Sequence, residues 1–217
     1  MVETRMDVGT TMALWRYPIK SLRGEELEAT RVEAGGIPGD RASSLVITRG
    51  HARLGKPYRG KEDERLHRLR SGDEAVSAAD ERGVAIDVVA ANGGHEHDAA
   101  PISILVDRWM EGLNAAVGYG VEYQRFRPNI FVAAHPQMDL DEPALAGREL
   151  RIGTVQLKVR SPIGRCVTTT YAQYPGASDP AILRYIAAER RNAMGIYCDV
   201  LRAGAVRIGD VLVFEER

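Results

Sequence analysis

The chain has 217 residues, 44% of them hydrophobic, and a formal net charge of -1. That supplies a core for one large or two small domains and too little net positive charge for a general nucleic-acid binder. Two cysteines far apart exclude a disulfide framework and favour a reducing cytoplasm. No apolar run approaches the roughly 20 residues that span a bilayer, and Met1-Val2-Glu3-Thr4-Arg5-Met6-Asp7 lacks the apolar stretch of a signal peptide. A cytoplasmic protein with no nucleic-acid or membrane partner is expected.

In chain order, Met12 to Tyr17, Leu27 to Val32, Ser44 to Thr48 and Val84 to Val89 read as short strands separated by Gly-rich and charged segments, a spacing that suits a barrel. Between the last two, Arg49 to Gly72 is dense in Lys and Arg, opposed only by Glu62, Asp63 and Glu64. It reads either as a solvated loop or short helix over a barrel rim, or as the positive wall of a substrate funnel. Small residues at Ala90-Ala91-Asn92-Gly93-Gly94 suggest a domain junction, giving domains 1–91 and 92–217. Leu105, Trp109 and Leu113 fall at i, i+4 and i+8 after Pro101 and predict a helix. Val155, Leu157 and Val159 alternate with Gln156, Lys158 and Arg160 in a strand that Pro162 and Gly164 are expected to break. Ser178-Asp179-Pro180 is a cap followed by a first-turn proline, and Ile182, Tyr185 and Ile186 form the apolar stripe of that helix. Both helical stripes read as core. Ala205 to Ile208 and Val211 to Phe214 end the chain as two strands around Gly209-Asp210, a hairpin signal. The fold class is β-rich α+β.

Chemistry concentrates at Ile163-Gly164-Arg165-Cys166-Val167-Thr168-Thr169-Thr170, where a cysteine leaves the strand. Arg165 favours a thiolate, which binds metals or attacks electrophiles, and the hydroxyls of Thr168 and Thr169 are positioned to donate to it. A small buried hydrophobe is the plainer reading of Cys166, and it is the reading adopted for Cys198 in its apolar run. His95-Glu96-His97-Asp98 offers metal-ligand types, although such loop histidines are more commonly solvated. His51, His67 and His135 are scattered. No Ser-His-Asp order or phosphate-binding P-loop is present, which leaves hydrolase and nucleotide-binding readings without an anchor.

Four further stretches bear on that choice: Leu14-Trp15-Arg16-Tyr17-Pro18-Ile19-Lys20-Ser21-Leu22-Arg23-Gly24, then Gly35-Gly36-Ile37-Pro38-Gly39-Asp40-Arg41, Arg125-Phe126-Arg127-Pro128-Asn129-Ile130, and Met194-Gly195-Ile196-Tyr197. In this order, with Arg165-Cys166, they resemble the MOSC superfamily of molybdenum-cofactor sulfurase C-terminal domains and amidoxime-reducing molybdoenzymes. The resemblance spans nearly the whole chain. It implies two packed barrel-like halves, an N-terminal barrel and a core domain, with molybdenum cofactor between them. It further implies cofactor contacts at Lys20, Ser21, Arg41, Asp98, Arg127, Asn129, Gly164, Arg165 and Tyr197, and molybdenum ligation by Cys166 as the catalytic residue.

Those residue types suit that cofactor, which carries a terminal phosphate, a hydrogen-bonding pterin and a dithiolene-bound metal. Arginine forks and lysine point charges bind phosphate, and a thiolate is a soft ligand. Pro128 is expected to bias Arg127 toward extended backbone. The activity implied is reduction of N-hydroxylated small molecules by oxygen-atom transfer to molybdenum. A cofactor or sulfur carrier without redox turnover is the alternative. Members of the amidoxime-reducing type often have an additional cysteine before Arg-Cys, where this chain has Ser161-Pro162-Ile163-Gly164, a departure that bears on substrate range. With no cysteine cluster for an iron–sulfur domain, electrons are expected from a separate flavin or iron–sulfur reductase.

Overall fold

The computed structural model describes residues 5–92, 97–173 and 176–215. Twelve strands and four α-helices follow one another as β1 (Arg5–Arg16), β2 (Glu25–Leu27), β3 (Ala29–Val32), β4 (Ser43–Arg49), α1 (Gly72–Asp80), β5 (Ala85–Ala90), β6 (Ile102–Val106), α2 (Glu111–Val117), β7 (Ile130–Ala134), α3 (Glu142–Leu145), β8 (Glu149–Ile152), β9 (Val155–Gly164), α4 (Pro180–Glu189), β10 (Ala193–Arg202), β11 (Gly204–Arg207) and β12 (Val211–Glu215). The β-rich α+β class read from the sequence holds.

Seven strands close a barrel in the order β12-β8-β9-β10-β6-β7-β1, with β1 returning to β12 and β2 attached to the far end of β1. Closure leaves the barrel strands no long unpaired edge. The long strand β1 makes this possible, pairing with β12 over Arg5 to Thr10 and with β7 over Gly9 to Leu14. Where the two partners overlap, a Cβ on Gly9 would lie 2.1 Å from the Ala133 carbonyl oxygen, so the crossing needs glycine. Leu14, Ile104, Ile130, Leu157, Ile196 and Phe214 belong to the large core cluster. A smaller cluster, with Leu45, Ile47, Tyr58, Leu66, Ala75 and Ile86, joins the β4–β5 ribbon to α1. A capping box between Ser71 and Glu74 starts that helix.

Several expectations are corrected. The helix expected from Leu105 begins only at Glu111: residues Ile102–Val106 form β6, buried at every position between β10 and β7. A strand buried on both faces is apolar throughout, so i, i+4 spacing cannot distinguish it from a helix. The expected strand Leu27 to Val32 divides at Glu28, β2 joining β1 while β3 pairs with β11. Strand β9 continues through Pro162 to Gly164, because Pro162 sits where the β9–β10 register shifts and its missing N–H is tolerated.

Gly209-Asp210 forms no hairpin: β12 has both edges occupied by β8 and β1, and β11 goes to β3. The Asp210 carbonyl instead accepts from the Thr11 N–H at 2.9 Å. Helix α4 begins as expected, with Asp179 as its cap, Pro180 in the first turn, and Ile182 and Ile186 fully buried. Among the described residues, no helix is long and apolar enough to cross a membrane.

Candidate functional site

The loop after β1, the loop before β4, the basic segment, β6, the loop before β7, the end of β9 and β10 converge on a cavity of about 230 Å³. Of the residues singled out from the sequence, Lys20, Ser21, Arg41, Asp98 and Arg127 line it. So do Gly164, Arg165, Cys166 and Tyr197. Asn129 does not line it. Its side chain lies behind the wall, where Oδ1 accepts from Ser103 N–H at 3.1 Å and Ser103 Oγ at 2.8 Å, and Nδ2 donates to the Trp15 carbonyl at 3.2 Å. Asn129 thereby ties β1 to β6 at the start of β7 and fixes the floor on which the arginines stand.

The backbone is bent in a particular way around this cavity. Ser21, Arg41 and Arg127 have φ of 74°, 50° and 52°, the left-handed region that side chains with a Cβ seldom occupy. Each costs on the order of 1–3 kcal/mol, and such residues cluster where geometry serves a ligand. For Arg127 this overturns the extended conformation expected from Pro128. Arg127 caps the 3-10 turn Tyr123–Phe126, its N–H donating to the Gln124 carbonyl at 3.0 Å, and closure of that turn overrides the steric preference of the residue before proline.

The cations are held on rigid supports. Arg41 is paired with the fully buried Asp40, whose carboxylate also accepts the Tyr17 N–H at 2.7 Å. Burial opposes the Arg41 charge, but Asp40 outweighs it and raises its pKa. Arg127 donates to the Leu22 carbonyl at 2.6 Å and lies 4.2 Å over the Tyr17 ring. Its pKa falls to about 10 through burial, with the positive charge of Arg41 adding to the effect. Arg165 donates to the Met194 and Phe126 carbonyls at 2.7 and 3.0 Å, and burial brings it too to about 10. Arg127 and Arg165 therefore remain charged at neutral pH although their nearest hydrogen-bond partners are neutral carbonyls, an arrangement that an anion would complete. Lys20 pairs with the exposed Asp98 at 2.7 Å.

Cys166 caps the 3-10 turn Val167–Thr170 two residues beyond β9 and is partly exposed. Its Sγ lies 3.1 Å from Thr168 Oγ1. The Thr169 hydroxyl, expected to donate to the thiol, donates to the Cys166 carbonyl at 2.9 Å, since the turn brings that carbonyl within its reach. Cys198 is fully buried, and burial pushes its thiol pKa up.

Several lining residues were not singled out individually from the sequence, Ser103 among them. Arg59, Lys61 and His67 come from the basic segment, which both walls the cavity and pairs internally, as in Arg53 with Glu62 and Arg65 with Asp63. No local signal separates His67 from the other scattered histidines. Of the rival metal loop, His95 and Glu96 lie outside the described residues, while His97 Nε2 is 3.0 Å from the Gly35 carbonyl. Among the described residues, no group of three or more His, Cys, Asp or Glu side chains is placed to hold a metal.

The family model of the MOSC domain matches residues 92–213, and that of the MOSC N-terminal beta barrel domain matches residues 8–71. The chain belongs to the MOSC family. MOSC domains are associated with molybdenum-cofactor enzymes. No curated protein matches this chain. Among solved structures it is similar to the YuaD protein of Bacillus subtilis, with a TM-score of 0.59 and 18% identity over 100% of both chains. It is also similar to a hypothetical protein, with a TM-score of 0.51 and 12% identity over 98% of this chain and 69% of the other. At these identities the likeness is one of fold.

The side chains of this MOSC cavity fit molybdenum cofactor by their chemistry. Among the described residues, Lys20, Arg41, Arg127 and Arg165 line the cavity with Asp98 as the one acid, so the cavity favours an anionic group. Tyr197 and Ser103 offer polar contacts, and Cys166 is the one thiol in the lining.

Proposed function

We propose that this MOSC protein binds molybdenum cofactor in the cavity and reduces N-hydroxylated small molecules. The observation that carries the reading is the convergence of Ser21, Arg41 and Arg127, all in left-handed backbone, with charged Arg165 around the partly exposed thiol of Cys166. Cations on three separate loops suit a phosphate, and Cys166 suits a soft metal. Bound there, the cofactor supplies two-electron oxygen-atom-transfer chemistry, with electrons from a separate flavin or iron–sulfur reductase. The chain's own residues do the holding: Arg41 and Arg127 neutralise the anion, Asp40 keeps Arg41 fixed, and Asn129 sets the spacing of the strands beneath them.

Protein purified from a host that makes the cofactor is expected to hold about one molybdenum per chain and, once chemically reduced, to convert benzamidoxime to benzamidine. Absence of both metal and pterin would overturn cofactor binding. Holoprotein that leaves N-hydroxylated compounds untouched, yet passes its cofactor to an apo-enzyme, would establish a carrier instead.

A further inference from the structure

His67 sits in the 3-10 turn Glu64–Arg68, is 3% exposed and lines the cavity. Neither ring nitrogen has a hydrogen-bond partner in the protein. A neutral imidazole carries one donor and one acceptor, and a buried polar group left unpaired costs on the order of 1–3 kcal/mol. The surroundings make room for the ring: a Cβ on Gly60 would lie 2.1 Å from His67 Nε2. The ring faces Tyr171 with centroids 5.9 Å apart, and Tyr171 ends the turn that Cys166 begins. Arg68, the next residue, donates to the Ala172 carbonyl at 3.2 Å, so the basic segment is fastened to the Cys166 side of the cavity.

We propose that His67 binds substrate, exchanging hydrogen bonds through its neutral imidazole with the N-hydroxyl group of an N-hydroxylated compound, an inference that rests on the reductase reading above. Burial and the nearby Arg127 charge keep the imidazole unprotonated, which sets it apart from the cations that suit the phosphate. A phosphate accepts hydrogen bonds only and would leave the imidazole acceptor unmade. An amidoxime or hydroxylamine offers an O–H to donate and lone pairs to accept, and so can pair with one ring nitrogen in either tautomer. The residue is then a determinant of specificity on the face of the cavity that carries Cys166.

The test compares wild-type, His67→Phe and His67→Gln holoproteins for molybdenum content and for binding of benzamidoxime and its O-methyl ether, which has no O–H. Molybdenum content is expected to be unchanged in both variants. In His67→Phe the KM for benzamidoxime is expected to rise about tenfold with a smaller change in kcat, the scale of one neutral hydrogen bond. The preference of the wild type for benzamidoxime over the ether, read as KM against inhibition constant, is expected to vanish in His67→Phe and to return in part in His67→Gln, whose amide again donates and accepts. An unchanged KM, or a preference over the ether that survives in His67→Phe, would overturn the inference alone. Loss of molybdenum from both variants would make His67 a cofactor contact and likewise overturn it. A molybdenum-loaded wild type inert to benzamidoxime would overturn the reductase reading, and this inference with it.

Discussion

At the scale of single residues the two cysteines separate by environment. Cys166 is partly exposed at a turn and touches Thr168, whereas Cys198 is sealed in the barrel core. Cys166→Ser exchanges a soft donor for a hard one of similar size, and is expected to leave the unfolding transition unchanged while the metal's coordination and turnover are lost. Cys198→Ser buries a hydroxyl among apolar neighbours and is expected to cost about 1–3 kcal/mol without altering the molybdenum chemistry; thermal unfolding beside metal analysis checks both.

His67 gives a second residue-scale expectation. Its pKa is lowered by burial, and by Arg127, from the ordinary 6.5 to about 3. The unfolded chain therefore binds a proton that the folded chain refuses. The contribution of this group is full above pH 6.5 and is lost as pH falls toward 3, at up to about 1.4 kcal/mol per pH unit. Urea unfolding of the apo-protein from pH 7 to about pH 5 is expected to show that loss, and His67→Phe to lack it; equal pH dependence in the two proteins would refute the assignment.

At the scale of elements, the start of α4 is legible because its cap is written in consecutive residues. Asp179 accepts the Ala181 N–H at 2.8 Å and the Tyr119 hydroxyl at 2.7 Å, so one carboxylate both starts α4 and binds it to the loop after α2. Asp179→Ala is expected to cost about 1 kcal/mol as a lost cap, measured by chemical denaturation, with Asp179→Asn retaining most of the stability. Strand β6 reads as the start of a helix for a physical reason as well: full burial erases the alternation that marks a half-exposed strand. Division of the expected strand 27–32 at Glu28 reflects two different pairing partners, which no local propensity encodes.

At the scale of the molecule, β1 is the strand that closes the barrel, lying between β7 and β12. A fragment of residues 92–217 would leave β7 and β12 each with an open edge and remove Leu14 and Val8 from the core. It is expected to lack a cooperative unfolding transition and to aggregate, and to recover both folding and solubility when residues 1–91 are supplied in trans; a soluble fragment that unfolds cooperatively would show that the barrel closes without β1.

The sequence by itself determined the β-rich class, the cap of α4 and the strings that hold the arginines and the thiol, because each is a property of neighbouring residues. The tertiary structure alone decided that Lys20, Arg41, Arg127 and Cys166 face one cavity, that Asn129 stands behind its wall, and that His67 joins them unpaired. It also decided that β11 and β12 part company around Gly209-Asp210. Strand pairing and side-chain burial depend on residues far apart in the chain, and an edge already occupied by β1 and β8 is visible only once the barrel has closed.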